Sequence, residues 1–270
     1  MTLLIRHGYD IAIYCWQPTA VVTMLSIRPE RISDLRGPEA FSTDPSIPTS
    51  TYQDLFGNIC RRFIAPVGEL TLSSRAVLED SGEPDDYAPD AIQHPVEDLP
   101  DDYLVFLMGS RYCETDRLSQ LAWDMFGAIA PGWARAQAIC DYAHNRIVFN
   151  YQNARSTRTA FEAHEERTGV CRDFAHLALA LCRSMNIPAR YVNGYLGDFG
   201  VPVVLPMDYA AWIEVYLGGK WRTMDPRNNV RRIGRIKVAH GRDAADVAMI
   251  SSFGPHGLNR FNVVCEAAEA

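Results

Sequence analysis

Cys171 follows Gly169 and Val170 and precedes a run of apolar residues at helical spacing, so its thiol is set in the first turn of a predicted helix. There the helix dipole and the unpaired backbone N–H groups both favour thiolate over thiol. The same N–H groups can receive the oxyanion of a tetrahedral intermediate. The chemistry implied is attack of sulfur on an amide carbonyl through a thioester. Taken alone, Gly-Val-Cys before an apolar helix also describes an inert core cysteine. Downstream, Asp225 lies in a Trp-rich strand segment, AAWIEVYLGGKWRTMDPRNN, which with Cys171 gives the layout of a thiol nucleophile site with one member missing.

Other polar residues nearby read two ways. Arg172 either receives a substrate carboxylate or pairs with an acid, the commoner outcome. Asp173, in the first helical turn, is favoured by the dipole, and capping explains it without catalysis. Trp212 and Trp221 either floor an acyl-binding cleft or fill the core, as strand aromatics more often do. Asn193 and Tyr195 are polar strand residues that catalysis and structural hydrogen bonding explain equally well.

The elements that position these residues follow from periodicity. Residues 117–127 and 133–148 carry apolar residues at three- and four-residue steps, punctuated by Gly127 and Pro131. Residues 157–166 and 171–185 give two more helices, the last with Phe174, Leu177, Ala178 and Leu181 on one face. After Pro188 the pattern turns strand-like over 189–195, 211–217 and 221–224, with Gly218-Gly219 as a hairpin turn. Upstream, residues 3–28 suggest two strands forming a hairpin broken at Pro18, and further short strands are expected at 52–55, 59–64 and 69–78. The fold class expected is α+β: a β-rich, sandwich-like domain over residues 1–100 followed by a catalytic-type domain over 101–270. The acidic run from Glu79 to Asp102 reads as a solvated loop between them.

Composition narrows the function classes. With 47% hydrophobic residues the 270-residue chain can fill a core, and a formal charge of −7 argues against a general nucleic-acid-binding surface. Seven cysteines, at 15, 60, 113, 140, 171, 182 and 265, show no CxxC pair or disulfide framework, which suits a reducing compartment. The seven histidines form no zinc-ligand cluster. No signal-peptide pattern or apolar run of roughly 20 residues occurs, so a cytoplasmic protein without a membrane span is expected. No cofactor is implied, and the oligomeric state is left open.

GVCRDFAHLALALCRSMNIPARYVNGYL, followed by DYAAWIEVYLGGKWRTMDPRNN, resembles the transglutaminase-like superfamily, in particular its bacterial cysteine peptidases. The likeness extends to YQDLFGNICRRFIAPVGELTL and to GRIKVAHGRDAADVAMISSFG, and so covers most of the chain. It implies a papain-like core with a Cys-His-Asp triad. Cys171 matches the nucleophile, and Asp225 matches the acid that orients the histidine, although it also serves the Asp-Pro-Arg-Asn turn. The histidine is expected immediately before Ala211-Trp212, where this chain has Ala210, and a methyl group cannot accept a proton.

Candidates for the missing base are Asp208, two residues from Ala210, and the more distant His164 and His256. His176 is five residues after Cys171, about 140° around an ideal helix, and is expected to pack behind the site. The leading expectation is a cysteine-dependent amide hydrolase or acyltransferase acting on a peptide, protein or small amide. The alternative is a catalytically impaired homologue that binds a peptide or acyl ligand in the same cleft.

Overall fold

The computed structural model describes residues 2–204 and 207–268. Its strands are β1 (Leu3–Cys15), β2 (Thr19–Thr23), β3 (Ala40–Asp44), β4 (Ser50–Gln53), β5 (Ile59–Ala65), β6 (Gly68–Asp80), β7 (Val148–Phe149), β8 (Thr168–Gly169), β9 (Ala189–Leu196), β10 (Tyr209–Leu217), β11 (Lys220–Met224), β12 (Arg235–Gly241), β13 (Ile250–Ser252) and β14 (His256–Ala267). The α-helices are α1 (Thr115–Phe126), α2 (Trp133–Arg146), α3 (Ala160–Glu166) and α4 (Cys171–Ser184). The fold is α+β, as expected.

Two four-stranded antiparallel sheets, in the orders β14-β1-β6-β3 and β13-β2-β5-β4, make the β-rich region. The expected hairpin over residues 3–28 is not formed. β1 pairs with β6 and β14, whereas β2 pairs with β5 and β13, so the bend at Pro18 moves the chain from one sheet to the other. Sheet membership also crosses the division at residue 100, because β13 and β14 return from the second half to pair with β2 and β1.

The third sheet has the order β11-β10-β9-β12, all antiparallel. Its β10–β11 hairpin turns at Gly218 and Gly219, with φ of 58° and 76°, left-handed values that favour glycine. Helix α4 packs on β9 and β10 and is ringed by α1, α2 and α3. Its residues from Asp173 to Arg183 are all buried, so it is a central helix and not one with a single apolar face. Even Arg183 is accommodated, its guanidinium donating to the carbonyls of Ala189 and Met108. Helix α3 starts at a capping box: the Thr159 hydroxyl accepts from Glu162 N, and the Glu162 carboxylate accepts from Thr159 N.

The acidic connection is more than a solvated loop. Ala91 accepts from Trp133 N at 3.0 Å, Ile92 accepts from Gly218 N at 2.9 Å, and the Asp85 carboxylate is tied to Arg235. These bonds strap the segment across α2 and the third sheet.

Candidate active site

Cys171 is the first residue of α4, with Val170 in extended conformation before it. The Asp173 carboxylate accepts from Val170 N at 2.9 Å and pairs with Arg158 at 3.1 Å, with both side chains buried. Asp173 thus holds the helix start, as its capping position suggested. Gly169 is required there, because a Cβ would lie 2.6 Å from the Asp173 Oδ2 atom.

Cys171 opens on a cavity of about 630 Å³ that is also lined by Tyr151, Asp208, Ala210, Arg227 and Asn228. Leu196, Met207 and Phe149 supply apolar wall. The other six cysteines are buried. Burial pushes the Cys171 thiol up to about 11, and the Asp208 charge adds to the rise. Arg227 and the backbone N–H groups of Ala211 and Arg172 oppose it. Ala210, in β10, lines the same cavity as Cys171.

Asp208 does reach the site mouth. Burial holds its carboxyl above the usual carboxylate range. Its Oδ1 accepts from Tyr209 N at 2.7 Å, and its Oδ2 accepts from the Tyr151 hydroxyl at 3.4 Å. The three other candidate bases lie elsewhere, and no histidine is among the described residues lining the cavity. His176 is buried behind α4, its Nε2 accepting from Ala244 N at 3.2 Å and its ring stacked on Tyr112. Burial and the nearby Arg172 and Arg183 hold it neutral, well below the usual imidazole range. His164 meets the Tyr142 hydroxyl at 3.1 Å, and His256 meets the Ser252 hydroxyl at 2.6 Å.

Asp225 does not line the cavity around Cys171. Its Oδ2 is 2.8 Å from Arg235 Nη2 and accepts from Asn228 Nδ2 at 2.7 Å, while its Oδ1 accepts from the backbone N–H groups of Arg227 and Asn228. Burial alone would raise this carboxyl, but Arg235 and Asn228 outweigh it and hold the group below its ordinary value. Asp225 therefore organises the turn that presents Arg227 and Asn228 to the cavity. His144 Nδ1 donates to the Arg227 carbonyl at 2.9 Å and braces the same turn.

Arg172 and Trp212, the two remaining candidates for substrate contact, also lie off the cavity. Arg172 donates to the carbonyls of Ser156, Arg155 and Arg158 and so fastens the loop before α3. Trp212 is 1% exposed, and its ring lies under the Arg235 guanidinium, 4.9 Å from centroid to Cζ. Asn193 donates to Val247 O, and the Tyr195 hydroxyl accepts from Tyr209, both as structural bonds.

Sequence reasoning passed over Tyr151, Arg227, Asn228 and Arg235. Arg227 and Asn228 stood in the Asp-Pro-Arg-Asn segment already singled out, and a turn at that point was the available signal. Nothing in the sequence marked Arg235 as the partner of Asp225. Among the described residues there is no cluster of three or more His, Cys, Asp or Glu able to hold a metal ion, and no helix is long and apolar enough to cross a membrane.

Residues 120–226 match the core-domain model of the transglutaminase-like superfamily. The chain is 30% identical over 248 residues to an uncharacterised protein of Mycobacterium leprae, an alignment covering 83% of each. It is also similar to a crystal structure from Cytophaga hutchinsonii that carries the provisional designation cysteine protease, with a TM-score of 0.86 and 30% identity, over 100% of this chain and 92% of that one. With Cys171 heading a central helix against an antiparallel sheet, and with relatives matching 83% and 100% of the chain, this protein belongs to the transglutaminase-like superfamily.

Proposed function

We propose that the protein is a cysteine-dependent amide hydrolase or acyltransferase in which Asp208, in place of the histidine that Ala210 removes, carries the proton. The observation behind this reading is that Cys171 and a carboxyl raised by burial share one cavity. A thiol at about 11 is protonated at neutral pH, so attack requires an acceptor as the S–C bond forms. Asp208 takes that proton and passes it to the leaving nitrogen as the C–N bond breaks, leaving a thioester on Cys171. Water or an amine then adds to the thioester carbon, gives up its proton, and releases the acyl product with the thiol restored. The backbone N–H groups at the start of α4 and at Ala211 face the developing negative charge.

The test pairs two readouts on Asp208→Asn: iodoacetamide labelling of Cys171, and cleavage of a panel of alkyl-amide peptides followed by mass spectrometry with Cys171→Ala as blank. Removing the Asp208 charge lowers the thiol's titration and speeds labelling, while removing the proton carrier slows cleavage. A variant in which both rates rise would show that Asp208 does not carry the proton.

A second reading, that the cavity binds a peptide or acyl ligand without turning it over, draws on Arg235 occupying Asp225 and on the high thiol titration. Under that reading no peptide of the panel is cleaved, and bound peptides protect Cys171 from labelling.

A further inference from the structure

Arg227 is a cation in the cavity of Cys171 with no carboxylate at ion-pairing distance among the described residues. Its Nη1 donates to Asn228 Oδ1 at 3.3 Å, and its guanidinium stacks on Phe149, 4.3 Å from Cζ to the ring centroid. Stacking of this kind fixes the plane of the guanidinium and leaves its N–H edges free for a planar anion. The two carboxylates that line the same cavity are engaged elsewhere. Asp198 accepts from Arg232 Nη2 at 2.9 Å and from Val204 N at 2.8 Å. Asp208 accepts from Tyr209 N and from Tyr151.

Arg232, 7% exposed, is a second lining cation. Its Nη2 is divided between Asp198 and the Gly197 carbonyl, and its Nε has no hydrogen-bond partner among the described residues. A charge-assisted bond to a carboxylate is among the stronger polar contacts a protein makes, and a guanidinium without one in a largely apolar cavity is set to receive it from a ligand.

We propose that the site selects amides carrying a carboxylate close to the scissile bond, with Arg227 receiving the carboxylate and the unpartnered Nε of Arg232 as a second donor in the same cavity. Phe149, Leu196 and Met207 line the space left for an apolar portion. The selectivity rests on the reading of Cys171 as the acyl acceptor, but its test does not require turnover.

Iodoacetate and iodoacetamide differ in charge and little in size, and both alkylate the accessible thiol. The ratio of their rates at Cys171, compared with the ratio on free N-acetylcysteine, reports attraction of a carboxylate to the site. Any change in thiol titration cancels in that ratio. The ratio is expected to exceed that of the free thiol, to fall about tenfold in Arg227→Gln, equivalent to about 1.4 kcal/mol, and to be partly kept in Arg227→Lys. The backbone groups of residue 227 that meet Asp225 and His144 are retained in both variants. A wild-type ratio equal to that of the free thiol, or one unchanged in Arg227→Gln, would overturn the proposal. If no peptide amide is cleaved yet the ratio depends on Arg227, carboxylate selection stands and the catalytic reading fails. Cleavage with no charge preference overturns carboxylate selection and leaves the catalytic reading standing.

Discussion

Asp225 is paired with Arg235, 2.8 Å from Oδ2 to Nη2. Arg235 also reaches both Asp85 oxygens at 2.9 Å and lies over Trp212. A guanidinium stays charged near neutral pH, so the pairing balances the charge of the acid. In a chain that carries Ala210, Asp225 thus has a structural use.

Replacing Arg235 by Met takes the counter-charge from two carboxylates, buried Asp225 and half-buried Asp85. The variant is expected to lose about 3–5 kcal/mol of unfolding free energy in urea at pH 7. Because the folded state holds the Asp225 carboxyl below its unfolded value, the group's contribution is complete above the unfolded value and lost as pH falls through the folded one. The deficit of Arg235→Met relative to wild type should therefore shrink on acidification below about pH 4.

Asp208 has the opposite linkage. Its carboxyl is raised by burial, so its contribution is complete below the unfolded value and lost as pH rises through the folded one. Asp208→Asn is expected to melt higher than wild type at pH 7, with the advantage fading at about pH 4 and below. Paired melting curves at the two pH values check this, and a destabilised variant at pH 7 would count against a cost of burying the charge.

Ala210→His places an imidazole on the cavity of Cys171 but leaves Asp225 held by Arg235. The thiolate fraction of Cys171 at pH 7 should rise by about tenfold for every pH unit by which the thiol's titration falls, and iodoacetamide labelling should rise with it by about threefold, since a less basic thiolate is a weaker nucleophile. The rate profile against pH reads the effect directly, and an unmoved profile would mean that position 210 does not address the thiol.

Gly169→Ala puts a methyl group against the carboxylate that holds the start of α4. Overpacking of this kind costs about 1–3 kcal/mol. Chemical denaturation should show that loss, and Cys171 labelling should change with it, because Asp173, Val170 and the thiol share one helical turn.

Much of the second half was legible from local signals. Helices α1, α2 and α4 and the strands β9, β10 and β11 follow periodicity, and Gly218-Gly219 marks their hairpin, because each pattern is written within a dozen neighbouring residues. The first half was legible as strands but not as pairings. β1 and β2 read as a hairpin, whereas they enter different sheets, because pairing partners are chosen by burial of whole faces and not by sequence proximity. β12 and β14 passed unread, although Arg235 comes from the first and the second completes the sheet of β1.

The sequence by itself determined the setting of Cys171, since a cysteine at the start of an apolar helix behind Gly169 and Val170 is a local arrangement. It also determined that Ala210 cannot supply a base, a matter of side-chain chemistry alone. Only the tertiary structure decided what the polar residues do: it brings Asp208, Tyr151 and Arg227 to the thiol, turns Arg172 onto a loop, buries Trp212, and gives Asp225 to Arg235. Charges and hydrogen bonds act over a few ångströms between residues distant in the chain, so their partners are set by packing that no local pattern records.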